Sequence, residues 1–263
     1  MTKKTGVGFL LSLVFVVSTC SSAFSETYVG GGLGLSFAAE ADSIKASQGA
    51  IEASSSDLDG DDSFAYGFKV GHYFNSLPWL GVEFNLYQRE PDADQQGVTV
   101  TGATAGLIRT DAGQAKVDVE HLTTAGLLVM LRATEEQTKN MFNMEPYVGI
   151  GLGVNAINLS EGTAYSAAGA YLESVNLSSD VSVGILLSAG LNYDITDQIK
   201  AYGEYKYTEA SYDMSTNAVN YSFDVDDSTM MFGVSYALGA SNVLDSIADS
   251  VHYYLTCDPC VTR

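Results

Sequence analysis

From Tyr28 onward the chain carries eight short segments in which apolar and polar residues alternate with a period of two, the mark of strands with one apolar face. In the first, Val29, Leu33, Leu35 and Phe37 oppose Tyr28, Gly30, Gly32, Gly34 and Ser36. In the second, Phe64, Tyr66, Phe68, Val70 and Phe74 oppose Ser63, Gly67, Lys69 and Gly71. After the short turn at 75–78, Leu80, Val82, Phe84 and Leu86 alternate with Gly81, Glu83, Asn85 and Tyr87, so these two strands form a hairpin. The fourth sets Val117, Val119, Ala125, Leu127, Val129 and Leu131 against Asp118, Glu120, Thr124, Gly126 and Arg132. The fifth sets Val148, Ile150, Leu152 and Val154 against Tyr147, Gly149, Gly151, Gly153 and Asn155. In the sixth, Val181, Val183, Ile185, Leu187 and Leu191 face away from Ser182, Gly184, Ser188, Gly190 and Asn192. In the seventh, Ile199, Ala201, Gly203, Tyr205 and Tyr207 oppose Lys200, Tyr202, Glu204, Lys206 and Thr208. The last places Met230, Phe232, Val234, Tyr236 and Leu238 opposite Thr229, Gly233 and Ser235.

Which face is inside follows from the polar one. It carries charges and glycines at mid-strand, which suits the narrow interior of an eight-stranded barrel, with the apolar face turned to lipid. A soluble barrel would reverse this, and a secreted sandwich with one wet face is the competing all-β arrangement. Tyr66, Tyr193, Tyr205, Tyr207 and Tyr236 lie toward strand ends on the apolar face, where aromatic girdles meet lipid headgroups. The expected fold is all-β: an eight-stranded antiparallel up-and-down transmembrane barrel over 26–239. Alternate connections, at about 40–62, 89–116, 160–179 and 214–226, are long, whereas those near 75–78, 134–143 and 194–198 are shorter. Long extracellular loops and short periplasmic turns are the asymmetry of such barrels, which puts both barrel ends of the chain in the periplasm.

The N-terminus agrees with export. Lys3 and Lys4 precede the uncharged run Phe9–Val17, and the small-residue stretch ending Ala23-Phe24-Ser25 fits cleavage before Glu26. The run is too short to span a bilayer as a helix, and Thr19 is a poor neighbour for lipidation of Cys20, so residues 1–25 read as a cleaved signal peptide. Mean hydropathy is slightly positive, at +0.08. The net charge of −20 becomes −22 once Lys3 and Lys4 are lost, because residues 1–25 hold no Asp or Glu. So acidic a chain is a poor nucleic-acid binder, since phosphate affinity rests on Lys and Arg.

Three stretches carry a resemblance. Glu145-Pro146-Tyr147-Val148-Gly149-Ile150-Gly151-Leu152-Gly153, Ala189-Gly190-Leu191-Asn192-Tyr193-Asp194-Ile195-Thr196 and Tyr202-Gly203-Glu204-Tyr205-Lys206-Tyr207-Thr208 resemble the porin-family outer-membrane β-barrel domain related to outer membrane protein A. The closing Phe232–Leu238 stretch, with Gly233, Tyr236 and Leu238, is similar to the signal that the barrel-assembly machinery reads in a last strand. The resemblance implies location in the cell outer membrane, with lipid, lipopolysaccharide and the assembly machinery as partners, and a monomer. It says little of activity, because the family includes structural proteins, small pores, adhesins and surface antigens. The chain departs from relatives in carrying 24 residues beyond the last strand and no peptidoglycan-binding domain.

In that tail, 240–263, Leu244, Ile247, Val251 and Tyr254 or Leu255 recur at helical spacing, so a short amphipathic periplasmic helix is expected. Cys257 and Cys260 have too little chain after them for a redox helix and read as a local disulfide; His252 adds only one ligand toward a zinc site. His72 and His121 fall at opposite strand ends, so no catalytic constellation forms, and a lipid A acyl hydrolase is a distant alternative. The Asp57-Leu58-Asp59-Gly60-Asp61-Asp62 run has its Gly at the fourth rather than the sixth position of a calcium loop and reads as a solvated acidic loop. Neither a metal nor a cofactor is expected. The inward charges Lys69, Glu83, Glu204 and Lys206 remain as candidates for mechanism. Paired, they plug the lumen; if they rearrange, they gate it. The expected function is a non-enzymatic surface barrel whose acidic loops meet ions or an extracellular partner, the alternative being a small solute-permeable channel.

Overall fold

A computed structural model of the chain describes residues 26–239, apart from 49–50, 56–57, 91–92, 105–106, 139–141, 167, 177–178 and 217–218. Its strands are β1 (Glu26–Gln48), β2 (Ile51–Ser55), β3 (Leu58–Asp59), β4 (Ser63–Tyr73), β5 (Leu80–Arg89) and β6 (Ala93–Thr104). They continue with β7 (Leu107–Arg132), β8 (Met144–Ser166), β9 (Tyr171–Asn176), β10 (Asp180–Asp194), β11 (Ile199–Thr216) and β12 (Val219–Gly239). One helical turn, α1 (Glu135–Thr138), sits between β7 and β8. The predicted tail helix and Cys257–Cys260 pair lie outside the described residues.

Eight strands close into an antiparallel ring in the order β1, β4, β5, β7, β8, β10, β11, β12 and back to β1. The expected barrel is thus present, with the two ends of the barrel segment, Glu26 and Gly239, at one rim, here the near end. Closure pairs the edges that an open sheet would leave bare. Two glycines show how tightly the wall is drawn. A Cβ at Gly151 would collide with the Leu127 carbonyl of the next strand, and one at Gly233 with the Gly31 carbonyl and the Tyr202 ring.

The wall is taller than the alternation alone indicated. Stretches expected as long loops are largely strand, because they prolong ladders already set by the ring. β2 and β3 keep the register in which β1 meets β4: Ser36 faces Ser63, Glu40 faces Asp59 and Lys45 faces Ser54. β6 prolongs β5 along β7, and β9 prolongs β10 along β8. Once register is set, each further residue pair gains ladder bonds without a new loop closure, and alternating runs such as Val98-Thr99-Val100-Thr101 suit it.

Halfway up, the sense of the alternation reverses. On β11 the inner face runs Tyr202, Glu204, Lys206, Thr208 and then Ala210 and Tyr212, all buried, while the outer face runs from Tyr205 to exposed Glu209, Ser211 and Asp213. β12 repeats this, with apolar Met230, Phe232, Val234 and Tyr236 outside at the near end and Asp224 and Asp226 on that outer parity at the far end. The lower wall is polar within and apolar without. The upper wall is built like a soluble barrel, with Leu122, Ile157, Leu159, Ala210, Tyr212 and Val225 packed inside it.

Two expected facings are corrected here: Glu120, grouped with the inner polar face, is exposed, and Val119 turns inward. Val119 shares parity with Leu127 but packs against this inner cluster. The β7–β8 register shifts between Asp118 and His121, and a bulge of that kind re-aims the side chains beyond it.

Candidate functional site

The lower lumen is filled by three tiers of charge. At the near end, Lys200 lies 3.0 Å from both Glu26 and Glu145, and Arg132 pairs with Glu26 and, at 3.2 Å, with Glu145. Arg132 also sits 3.8 Å from the centre of the Tyr73 ring, so its cation is held against an aromatic face as well as two carboxylates.

The middle tier contains all four predicted lumen charges. Lys206 is 2.7 Å from Glu204, and Lys69 stands 3.2 Å from Glu204 and 3.7 Å from Glu83. The expected same-strand and neighbouring-strand pairs are therefore fused into one network by a cross-barrel contact. That contact exists because an eight-stranded barrel is narrow enough for β4 and β11 to reach each other through its interior. Hydroxyls complete the tier: Tyr28 donates to Glu83 at 2.6 Å, and Tyr147 and Ser188 each donate to Glu204 at 3.0 Å. The Lys69 ammonium also lies 3.8 Å from the centre of the Tyr202 ring. All four charged residues are buried.

Above it, Arg89 reaches Asp227 at 2.7 Å, while Ser36 and Thr229 donate to the same carboxylate at 2.5 and 2.9 Å. Arg89 also donates to Thr124 at 3.0 Å, and Thr124 to Asn155 at 2.6 Å. Sequence reasoning missed this tier because Arg89 opens the expected 89–116 connection and Asp227 falls between the expected 214–226 connection and the last strand. Parity was the available signal, since Arg89 follows Glu83, Asn85 and Tyr87 and Asp227 precedes Thr229 on the inner face.

The two inner tiers hold three cations against three carboxylates, so the buried lumen is neutral. Voids beside the middle tier, one toward each end, both touch Lys69; each leaves about 10 Å³ for a water centre, room for roughly one molecule. Beyond the upper tier the apolar cluster of the far wall takes over. Of the residues expected to form the assembly signal, Tyr236 and Leu238 face outward and Gly233 faces the Tyr202 ring. His72 bonds Thr27 at 2.9 Å near the chain ends, whereas His121 meets Asn158 farther up the wall, so the two share no site. Asp61 and Asp62 are exposed, and among the described residues no cluster of acidic, Cys or His side chains has the form of a metal site.

The model of the outer membrane protein β-barrel domain matches residues 7–237. The chain belongs to that family. This outer-membrane barrel therefore resides in the cell outer membrane, and the apolar lower wall is its lipid face. No curated protein matches the sequence. Among solved structures, Neisserial surface protein A is 15% identical with a TM-score of 0.44, covering 81% of this chain and 99% of its own. OprG from Pseudomonas aeruginosa is also 15% identical, with a TM-score of 0.41, covering 84% of this chain and 99% of its own. The outer membrane protease OmpT from Escherichia coli is 8% identical, with a TM-score of 0.41, covering 80% of this chain and 97% of its own.

Proposed function

We propose that the protein is a non-enzymatic, closed surface barrel that stabilises the envelope and presents acidic β-structure to ions or a partner outside the cell. In this reading both ends of the barrel segment are periplasmic, the far wall is extracellular, lipopolysaccharide surrounds a monomer, and the assembly machinery reads Gly233, Tyr236 and Leu238. The observation that carries it is the internally neutral lumen. Each buried charge meets an opposite one, and leaving any of them bare would be expensive, so the interior favours staying shut. The test is single-channel recording of protein whose folded state is verified by unboiled against boiled migration on a gel. Silence is expected; frequent discrete openings would overturn the closed reading.

A small channel is the second reading, favoured by one feature. Lys69 already bridges two carboxylates and lines a water-sized void toward each end, so a shift between Glu83 and Glu204 would redistribute the plug. Lys69→Ala or Glu83→Ala then raises ion flux; unchanged flux in both rejects a gate at these residues.

A further inference from the structure

The middle tier balances its charges but not its hydrogen bonds. Asn85, on the inner face of β5, is buried and donates through its side-chain amide to Glu83 at 3.2 Å. A carboxylate only accepts, so this bond fixes which end of the amide faces Glu83 and turns Oδ1 away from it, where no donor meets it. Lys206 is equally buried and carries three N–H donors. Glu204, two residues away on the same strand, lies at 2.7 Å as a charge contact, yet Nζ has no aligned hydrogen-bond acceptor. A buried donor and a buried acceptor, both left unmet, are costly to hold in a packed lumen.

Both residues line one void, that on the far side of Lys69, which leaves about 10 Å³ for a water centre. Its occupant follows from the two unmet atoms and from charge. Lys206 needs an acceptor and Asn85 Oδ1 needs a donor. The surrounding tier is neutral, so an ion of either sign would leave a net buried charge. What fits is a neutral molecule of one heavy atom that both donates and accepts. The void on the near side of Lys69 has the same size, but no buried side-chain nitrogen or oxygen around it is left unpaired.

We propose that one resident water molecule occupies the far-side void, accepting a hydrogen bond from Lys206 Nζ and donating one to Asn85 Oδ1. With it the middle tier closes into a ring. Lys69 meets Glu83, Glu83 accepts from Asn85, the water joins Asn85 to Lys206, Lys206 pairs with Glu204, and Glu204 returns to Lys69. The water ties β5 to β11 across the lumen, beside the direct contact of β4 with β11, and is a fixed member of the tier.

A crystal structure of the full protein fine enough to show ordered water tests the site directly. Density is expected within ~3.2 Å of both Asn85 Oδ1 and Lys206 Nζ. A dry void, or Lys206 bonded straight to the amide oxygen, would overturn the proposal. In solution, urea unfolding in micelles of Asn85→Leu, Lys206→Met and the double variant reads the bridge. The two losses should couple: the double variant's unfolding constant should rise at least ~3-fold less than the product of the single effects. Strict additivity would mean that nothing joins the two residues and would break the ring. Neither measurement reads conductance, so the closed-barrel reading stands or falls on its own recording.

Discussion

Glu204 is the residue on which the middle tier depends. Its carboxylate takes ion pairs from Lys206 at 2.7 Å and Lys69 at 3.2 Å, and hydroxyl donation from Tyr147 and Ser188 at 3.0 Å each. Glu204→Gln keeps the shape but leaves two buried ammonium groups facing one remaining carboxylate, Glu83. Removing one partner of a buried ion pair costs roughly 3–5 kcal/mol, and the water-sized voids beside Lys69 bring the expectation toward the lower value. Lys206→Met added to Glu204→Gln restores neutrality, since Lys69 and Glu83 then balance. The double variant should be more stable than the two single losses added together, by at least ~1 kcal/mol of coupling. Urea unfolding in micelles, followed by Trp79 fluorescence and by gel migration, measures all four corners of the cycle. Strict additivity, or a Glu204→Gln cost below ~1 kcal/mol, would refute the reasoning that the tier is one charge-balanced unit.

Two further substitutions test the wall itself. Gly151→Ala places a methyl against the β7 backbone and should abolish the folded, heat-modifiable band, whereas Gly31→Ala, whose nearest neighbour is 3.8 Å away, should leave it intact. Tyr212→Ala empties the inner cluster of the far wall and should lower unfolding stability by about 3–5 kcal/mol, the range for truncating a buried aromatic; a loss under ~1 kcal/mol would mean that the cluster does not hold the upper barrel together.

Much of this was legible along the chain because a strand writes its two faces at fixed spacing. Val148, Ile150, Leu152 and Val154 outside, with Tyr147 and the three glycines inside, appear in the structure as read. Lys69, Glu83, Glu204 and Lys206 were legible for the same reason, each falling on the polar face of its strand. Two things were not. The contact of Lys69 with Glu204 spans 135 positions and depends on how narrow the closed ring is, which no local pattern encodes. The upper wall was hidden because apolar and polar faces exchange sides there: Tyr212 and Ile157 sit on the parity that is polar below, so the alternation blurs at the crossover and resembles a loop. The bulge near His121 adds a one-residue shift that parity counting cannot carry across.

The tall upper wall changes what kind of surface the barrel offers. β11 continues for seven residues beyond Glu209. At ~3.3 Å per residue and a tilt of about 40°, that is a height of roughly 18 Å above the polarity crossover. Seven residues of free loop would sample many shapes close to the lipid headgroups; the same residues in ladder form are a stiff collar standing clear of them. A ligand that meets the tip finds backbone already ordered, so little conformational freedom is surrendered on contact, and modest contact areas there yield useful affinity.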